Sequence, residues 1–484
     1  VTGADVSGLL DEHRRALATR AEMMAWVTEV VDFGVRRPGT DAGHRVEAWV
    51  ADRFCELGLR DVRAEPVDVP VWEPGEASVV AWPEGRAGDA VTVPGFPLPF
   101  TRPTPGTEAD LVPMASAGGS DGADALRGAI GLESLQLGRL PGAFTATLAT
   151  GRCDPDGELD AHEHLLPFGP RLGKEVDVAV EAGAAGYVGV MDVPWDTRDY
   201  YVPYDGVDRA LPAVWVDRVG GEALRGLLAS AAAAAAGGDP VPVPVRARLE
   251  VDAGHRPGRT ANVVGSLPGA SDEWVVIGSH HDAPWASAVE DGTGIALVLA
   301  QARFWAGVPA ERRPHNLLFL LNGGHMVDGA GVRSFLAGRG GWLDRVVLSV
   351  HLEHAAAACE ARDGRLVATG DPEVRWWFAS REPGIERSVA EALAAEGVGR
   401  SWILPPEAFG EHPPTDGGPF HSYGVPLVDF LSAPAYLFDA CDTLDKVHEA
   451  SLEPINRAAA RIVAGTAGRT AAETRALAPP AGGG

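Results

Sequence analysis

The sequence predicts an α/β fold: a mostly parallel central sheet flanked by helices, with a smaller α/β unit inserted after the first strand. Three observations predict it. From Thr260 onward, β-branched and leucine-rich runs alternate with helical patterns, as parallel strands joined by crossover helices require. From Trp72 to about Gly106 the texture changes to prolines and glycines with short strands, which marks a boundary. Finally, the run Val275 to Ile277 stops at Gly278 and releases His280 and Asp282. That places an imidazole and a carboxylate just past the carboxyl end of a strand, where open α/β sheets hold their ligands.

In chain order, Leu9 to Phe33 reads as helix, with Met23, Met24, Val27, Val30 and Val31 at helical spacing, and Asp41 to Leu57 as a second helix. Leu59 to Val71 alternates and reads as a strand. Between Asp110 and Arg248 lies a separate α/β unit. It has strands at Leu126 to Glu133, Gly186 to Met191 and Leu211 to Val216, and helices near Lys174 to Gly183 and Gly221 to Ala235. The alanine run and the proline-rich stretch after it read as helix end and linker. The main sheet then follows: strands Thr260 to Gly265, Trp274 to Ile277, Asn316 to Leu321, Val346 to Leu352 and Val425 to Phe430. Helices Gly294 to Trp305, Gly331 to Leu336 and Ser388 to Glu396 alternate with them, and Leu444 to Arg475 closes the chain as helix. The expected division is residues 1–71 with 249–484 as one domain and 72–248 as the insert.

Composition excludes several function classes. With 484 residues the chain exceeds what one core usually organises. A net charge of −26 argues against a nucleic-acid surface, because phosphate binding depends on Lys and Arg. Cys55, Cys153, Cys359 and Cys441 fit no metal or redox spacing and read as reduced, mostly buried thiols. The N-terminal stretch lacks a basic region followed by an apolar core, and no apolar run approaches membrane-spanning length, so a cytoplasmic protein without a membrane partner is expected.

The order R-x-P-G-T (Arg36 to Thr40), T-A-N-V-V-G, G-S-H-H-D, E-D-G-T-G, the F-L-L-N-G-G-H-M turn and the closing D-T-L-D-K resembles the co-catalytic zinc aminopeptidases and glutamate carboxypeptidases. The segments L-R-G-A-I, E-A-G-A-A-G-Y-V-G-V and L-P-A-V-W-V are similar to the protease-associated domain that many of them carry. The resemblance implies two zinc ions at the sheet's carboxyl edge. His280 falls on the first histidine ligand, Asp282 on the carboxylate that orients it, Glu290 on the bridging position and Glu353 on the later acidic ligand. The other half of the site departs from the pattern. His325 stands at the general base, Met326 at the second ion's glutamate, and Phe438, or Leu437 if the register slips, at the last histidine. A thioether cannot replace a carboxylate on zinc.

A standard two-zinc aminopeptidase is therefore disfavoured, and three readings remain. In the first, one divalent ion, zinc or iron, sits on His280, Glu290 and Glu353, with His325 as base or fourth ligand, and the substrate is an amide, a small peptide or an amino-acid-derived metabolite. In the second, a metal-free enzyme of specialised metabolism uses His325 as acid and base. In the third, the chain is an inactive, peptidase-like binding protein. Glu353 and His354 are costly at an apolar strand end unless paired. Glu290, beside Asp291, could instead cap the next helix. His412 and His421 flank the T-D-G-G-P-F loop as candidate replacement ligands. His162 and His164 read as surface, and Asp199 to Tyr204 as packing or a substrate lid.

Overall fold

A computed structural model describes residues 3–114, 124–169, 171, 173–236 and 243–475. The expected first helix is two, Gly3–Glu12 and Arg20–Asp32, separated by a 3-10 turn at Arg14–Ala16. The break comes from Thr19, whose hydroxyl accepts the Glu22 N–H at 3.3 Å while the Glu22 carboxylate accepts the Thr19 N–H at 2.9 Å. This capping box starts a new helix inside an otherwise continuous apolar pattern. Helix Asp41–Glu56 starts at Thr40, whose side chain accepts from Gly43.

Strand Arg60–Pro83 runs well past Val71 and pairs antiparallel with Val245–Leu267. Its prolines do not end it, and Pro74 sits at a register shift in the ladder, where a missing N–H breaks no bond. The outer parts of these two strands close a ring. From Arg60–Pro83 it passes through Val91–Pro97, Ala213–Val216, Gly186–Met191, Ile130–Leu135 and Thr104–Pro113 to Val245–Leu267. Closure leaves this ring no free edge and gives it a core of its own, built on Val79, Ile130, Val188, Val214, Leu249 and Leu224.

The inner part of Val245–Leu267 continues into the main sheet, whose order is Asn316–Asn322, Trp274–His280, Val346–Leu352, Leu427–Ser432, Arg375–Ala379, Ser401–Leu404 and Gly151–Cys153. Asn316–Asn322 through Leu427–Ser432 run parallel. The neighbouring Arg375–Ala379 is antiparallel to them. Gly151–Cys153 comes from the segment that also builds the ring, so that segment reaches the far edge of the main sheet.

Helix Gly294–Gly307 carries apolar residues all round and is buried on nearly every side. It lies against strand Trp274–His280 and beneath helices Arg20–Asp32 and Glu449–Ala464. Each fully buried Leu or Ile on it contributes about 1.5–3 kcal/mol. Its one buried amide is satisfied: Gln301 Nε2 donates to Asn456 Oδ1 at 2.6 Å, and Gln301 Oε1 accepts from Trp305 Nε1 at 3.1 Å. The expected C-terminal helix is likewise divided, into the turn Leu444–Lys446 and helices Glu449–Ala464 and Ala471–Arg475. The cysteines form no disulfide, and Cys55 is exposed rather than buried. Among the described residues no helix is long and apolar enough to cross a membrane.

Candidate metal centre

Three parallel strands end side by side, and each releases a ligand-type side chain. Trp274–His280 ends on His280. Asn316–Asn322 leads through Gly323 and Gly324 to His325, and the positive φ of Gly324 makes that reversal. Val346–Leu352 releases Glu353 and His354. Glu290 arrives from the turn before helix Gly294–Gly307 through a cis peptide bond to Asp291. All five side chains belong to residues no more than 7% exposed.

Glu290 lies at the middle. Its Oε1 is 3.4 Å from His280 Nε2 and 3.8 Å from His325 Nε2, and its Oε2 is 2.6 Å from His354 Nε2. His354 Nε2 also lies 3.7 Å from Glu353 Oε2. Two overlapping sets of ligand atoms result, His280 with Glu290 and His325, and His280 with Glu353 and His354, each within 4.8 Å. The structure therefore brings together His280, Glu290, Glu353 and His325, and adds His354.

Tautomers follow from the far side of each ring. His280 Nδ1 meets the Asp282 carbonyl oxygen at 2.9 Å, and His354 Nδ1 meets the Ser432 carbonyl at 2.7 Å. His325 Nδ1 meets Asp416 Oδ1 at 2.9 Å. A carbonyl or carboxylate only accepts, so each Nδ1 donates, and in the neutral ring each Nε2 turns a lone pair towards Glu290. Asp282 thus orients His280 with its backbone carbonyl. Its carboxylate accepts the backbone N–H groups of His325 and Met326 instead, at 3.1 and 2.8 Å. It fixes the turn that carries His325, a different task from the one expected.

The loop that delivers Glu290 is held from outside. Arg36 donates to the carbonyls of His281, Ala286, Ser287 and Glu290, at 2.8–3.1 Å. Asp442 accepts the N–H groups of Val289 and Glu290, both at 2.9 Å. The helix-capping role open to Glu290 falls to Asp291, which accepts the Gly294 N–H at 3.0 Å and the Ser279 hydroxyl. This leaves the Glu290 carboxylate free to face the histidines.

The carboxylates and imidazoles act on one another: burial would lower His354, but Glu290 and then Asp291 raise it above its ordinary value. Burial, then the neighbouring His325 and His354, hold His280 well below its ordinary value, so it stays the neutral ligand form. Burial, then Asp429 and other carboxylates, push Glu353 well above the ordinary carboxylate range. Burial would lower His325, but Asp416, Glu290 and Asp282 outweigh it and raise it to about 9. His280 Nε2, Glu290 Oε1 and Glu353 Oε1 are buried without a hydrogen-bond partner, and His354 Nε2 and Glu290 Oε2 have only each other. Buried ligand atoms of this kind facing one another fit a divalent ion.

The two residues expected at a second ion's ligand positions are both buried. Met326 is fully buried, and Phe438 packs on Tyr204 with ring centroids 4.9 Å apart. Tyr204 in turn stacks on His325 at 5.7 Å, so the D-Y-Y-V-P-Y stretch covers the site. His412 and His421 are engaged elsewhere: His421 Nε2 pairs with Glu407 at 3.0 Å, and His412 Nδ1 meets the Pro413 carbonyl. Asp416 was not singled out from sequence. Its signal was the T-D-G loop, which no local pattern connects to His325.

Comparison with known proteins accords with this geometry. The model of peptidase family M28 matches residues 262–463. A peptidase M28 precursor from Shewanella amazonensis SB2B superposes with a TM-score of 0.71 at 17% identity, over 96% of this chain and 98% of that one. A zinc aminopeptidase from Bacillus subtilis gives 0.64 at 15% identity, over 92% and 94%. An aminopeptidase from Aneurinibacillus sp. strain AM-1 gives 0.62 at 17% identity, over 92% and 93%. At these identities the likeness is one of fold. No curated protein matches by sequence.

Proposed function

We propose that this chain, whose residues 262–463 match the model of peptidase family M28 and whose fold is zinc-aminopeptidase-like, is a mononuclear, metal-dependent enzyme acting on an amide, small peptide or amino-acid-derived substrate. The observation that carries the reading is the set of buried ligand atoms on His280, Glu290, Glu353 and His354 that face one another, beside apolar Met326 and Phe438. His280, Glu290, Glu353 and His354 would hold the ion, with zinc favoured by the imidazole and carboxylate donors and by the zinc aminopeptidase among the similar structures. When bound there, zinc supplies a Lewis acid and an activated water.

The rest is done by the chain's own side chains. His325, held by Asp416, keeps Nε2 towards the centre, where it can take a proton and return it to a leaving amine. A cation against Glu290 cancels part of that carboxylate's pull and brings His325 down towards neutrality. Tyr204 and Phe438 close over His325 and exclude water, which suits a small substrate. The division into a peptidase-like unit, 1–71 with 249–484, and a protease-associated-type insert, 72–248, belongs to this reading.

Metal analysis by difference tests it. Wild type should carry one transition-metal equivalent more than His280→Ala. A difference of two would indicate a binuclear centre, and none would remove the ion from the mechanism. The His325–Asp416 pair, which needs no ion for its geometry, favours the metal-free acid–base reading in that last case.

A further inference from the structure

The described residues hold a second cluster with ligand geometry that shares no residue with the first: His162, His164 and Glu373, whose ligand atoms lie within 4.8 Å of one another. His162 and His164 come from the segment that builds the strand ring, and Glu373 follows strand Arg365–Pro372 of the peptidase-like unit. The sequence reading placed both histidines on the surface. His164 is instead 3% exposed, with its ring against Trp376 at 5.0 Å.

His164 Nε2 meets the Ala433 carbonyl oxygen at 2.8 Å, so this nitrogen donates and Nδ1 carries the lone pair. Nδ1 is buried, has no hydrogen-bond partner, and lies 3.6 Å from Glu373 Oε1. That separation is too long for a hydrogen bond. Two ligands on a tetrahedral zinc with bonds near 2.05 Å stand about 3.3 Å apart, close to what is seen here. His162 Nε2 approaches the same oxygen at 3.9 Å from the more open side, where a water can complete the shell. Glu373 Oε1 is anchored by the Val374 N–H at 2.7 Å, and the carbonyl behind His164 fixes its ring as carbonyls fix metal-bound histidines. The other charged groups acting on His162 are Arg400 and Glu158, of opposite sign.

We propose that His162, His164 and Glu373 form a structural zinc site that fastens the inserted segment to the peptidase-like unit, separate from the centre at His280. Such an ion would lock the same excursion that adds Gly151–Cys153 to the edge of the main sheet. Its test uses the full chain, stripped with a chelator and titrated with zinc, in parallel with His162→Ala and Glu373→Gln. His162 is partly exposed, so its variant should keep the wild-type circular dichroism. The expected result is one zinc equivalent fewer in each variant, together with loss of the part of the zinc-induced rise in Tm that His280→Ala retains. Equal zinc uptake by wild type and a folded His162→Ala overturns the proposal. Because His280→Ala and His162→Ala should each remove one equivalent and the double variant two, failure at either centre is read separately.

Discussion

His354 Nε2 lies 2.6 Å from Glu290 Oε2, joining the end of one strand to the turn before a helix on another. His354 Nδ1 is committed to the Ser432 carbonyl. This contact makes Glu290, rather than the turn at Met326, the point on which the centre converges. It also gives His354 a ligand's position. His354→Ala should lower metal affinity by at least about 100-fold, the upper range for groups around a metal, while His281→Ala should not. Calorimetric titration of both variants checks this, and equal affinities would exclude His354 from the centre.

The acid–base role of His325 predicts a separation of metal binding from turnover. His325→Ala should lose about 10²–10⁴-fold in kcat with its metal content unchanged. Asp416→Asn should lose less, since Nδ1 keeps a partner but the charge is gone. A panel of aminoacyl amides and small peptides provides the assay. Loss of the ion in His325→Ala would make the residue a ligand instead.

Turnover of ordinary aminoacyl anilides by wild type should be absent or very weak if, as proposed, Met326 and Phe438 replace a second ion's ligands. The double variant Met326→Glu/Phe438→His should bind one more zinc equivalent than its parent. Two equivalents at the His280 centre of the wild type would sink this prediction.

Arg36 is fully buried, and its five-donor fork spans four carbonyls of the loop that carries Glu290. Arg36→Met strands those acceptors and should cost roughly 3 kcal/mol or more in stability. Urea unfolding measures the loss, and zinc titration should show weaker binding from the loosened Glu290. A variant with wild-type stability would mean that the loop holds itself.

Glu396 receives Arg457 and Arg461 from helix Glu449–Ala464. Burial raises its pKa, but the two guanidinium groups outweigh burial and hold it below the ordinary glutamate range. A group lowered on folding stabilises above its unfolded pKa, and that contribution fades as pH falls through the folded value. Glu396→Gln should therefore be less stable than wild type by about 1 kcal/mol at neutral pH. The gap should close progressively below about pH 4, in denaturation curves recorded across that range. A gap independent of pH would assign the loss to packing.

Much of the main sheet was legible from residue patterns. Strand Val346–Leu352, and in the ring strand Gly186–Met191, begin and end where their mostly apolar runs do, since a strand buried on both faces is mostly apolar. Boundaries failed where a local bond overrode the pattern, as at Thr19, or where a ladder carried a strand through proline texture, as beyond Val71.

By itself the sequence determined the fold class and the strand-end place of His280 and Glu353. These depend on residue type and on neighbours a few positions away. Tertiary structure alone decided that His354 faces Glu290, that Asp416 holds His325, that Asp282 works through its carbonyl, and that His164 is buried against Glu373. Each of these is a meeting of side chains from separate strand ends, and only the closed sheet fixes which lone pair points where.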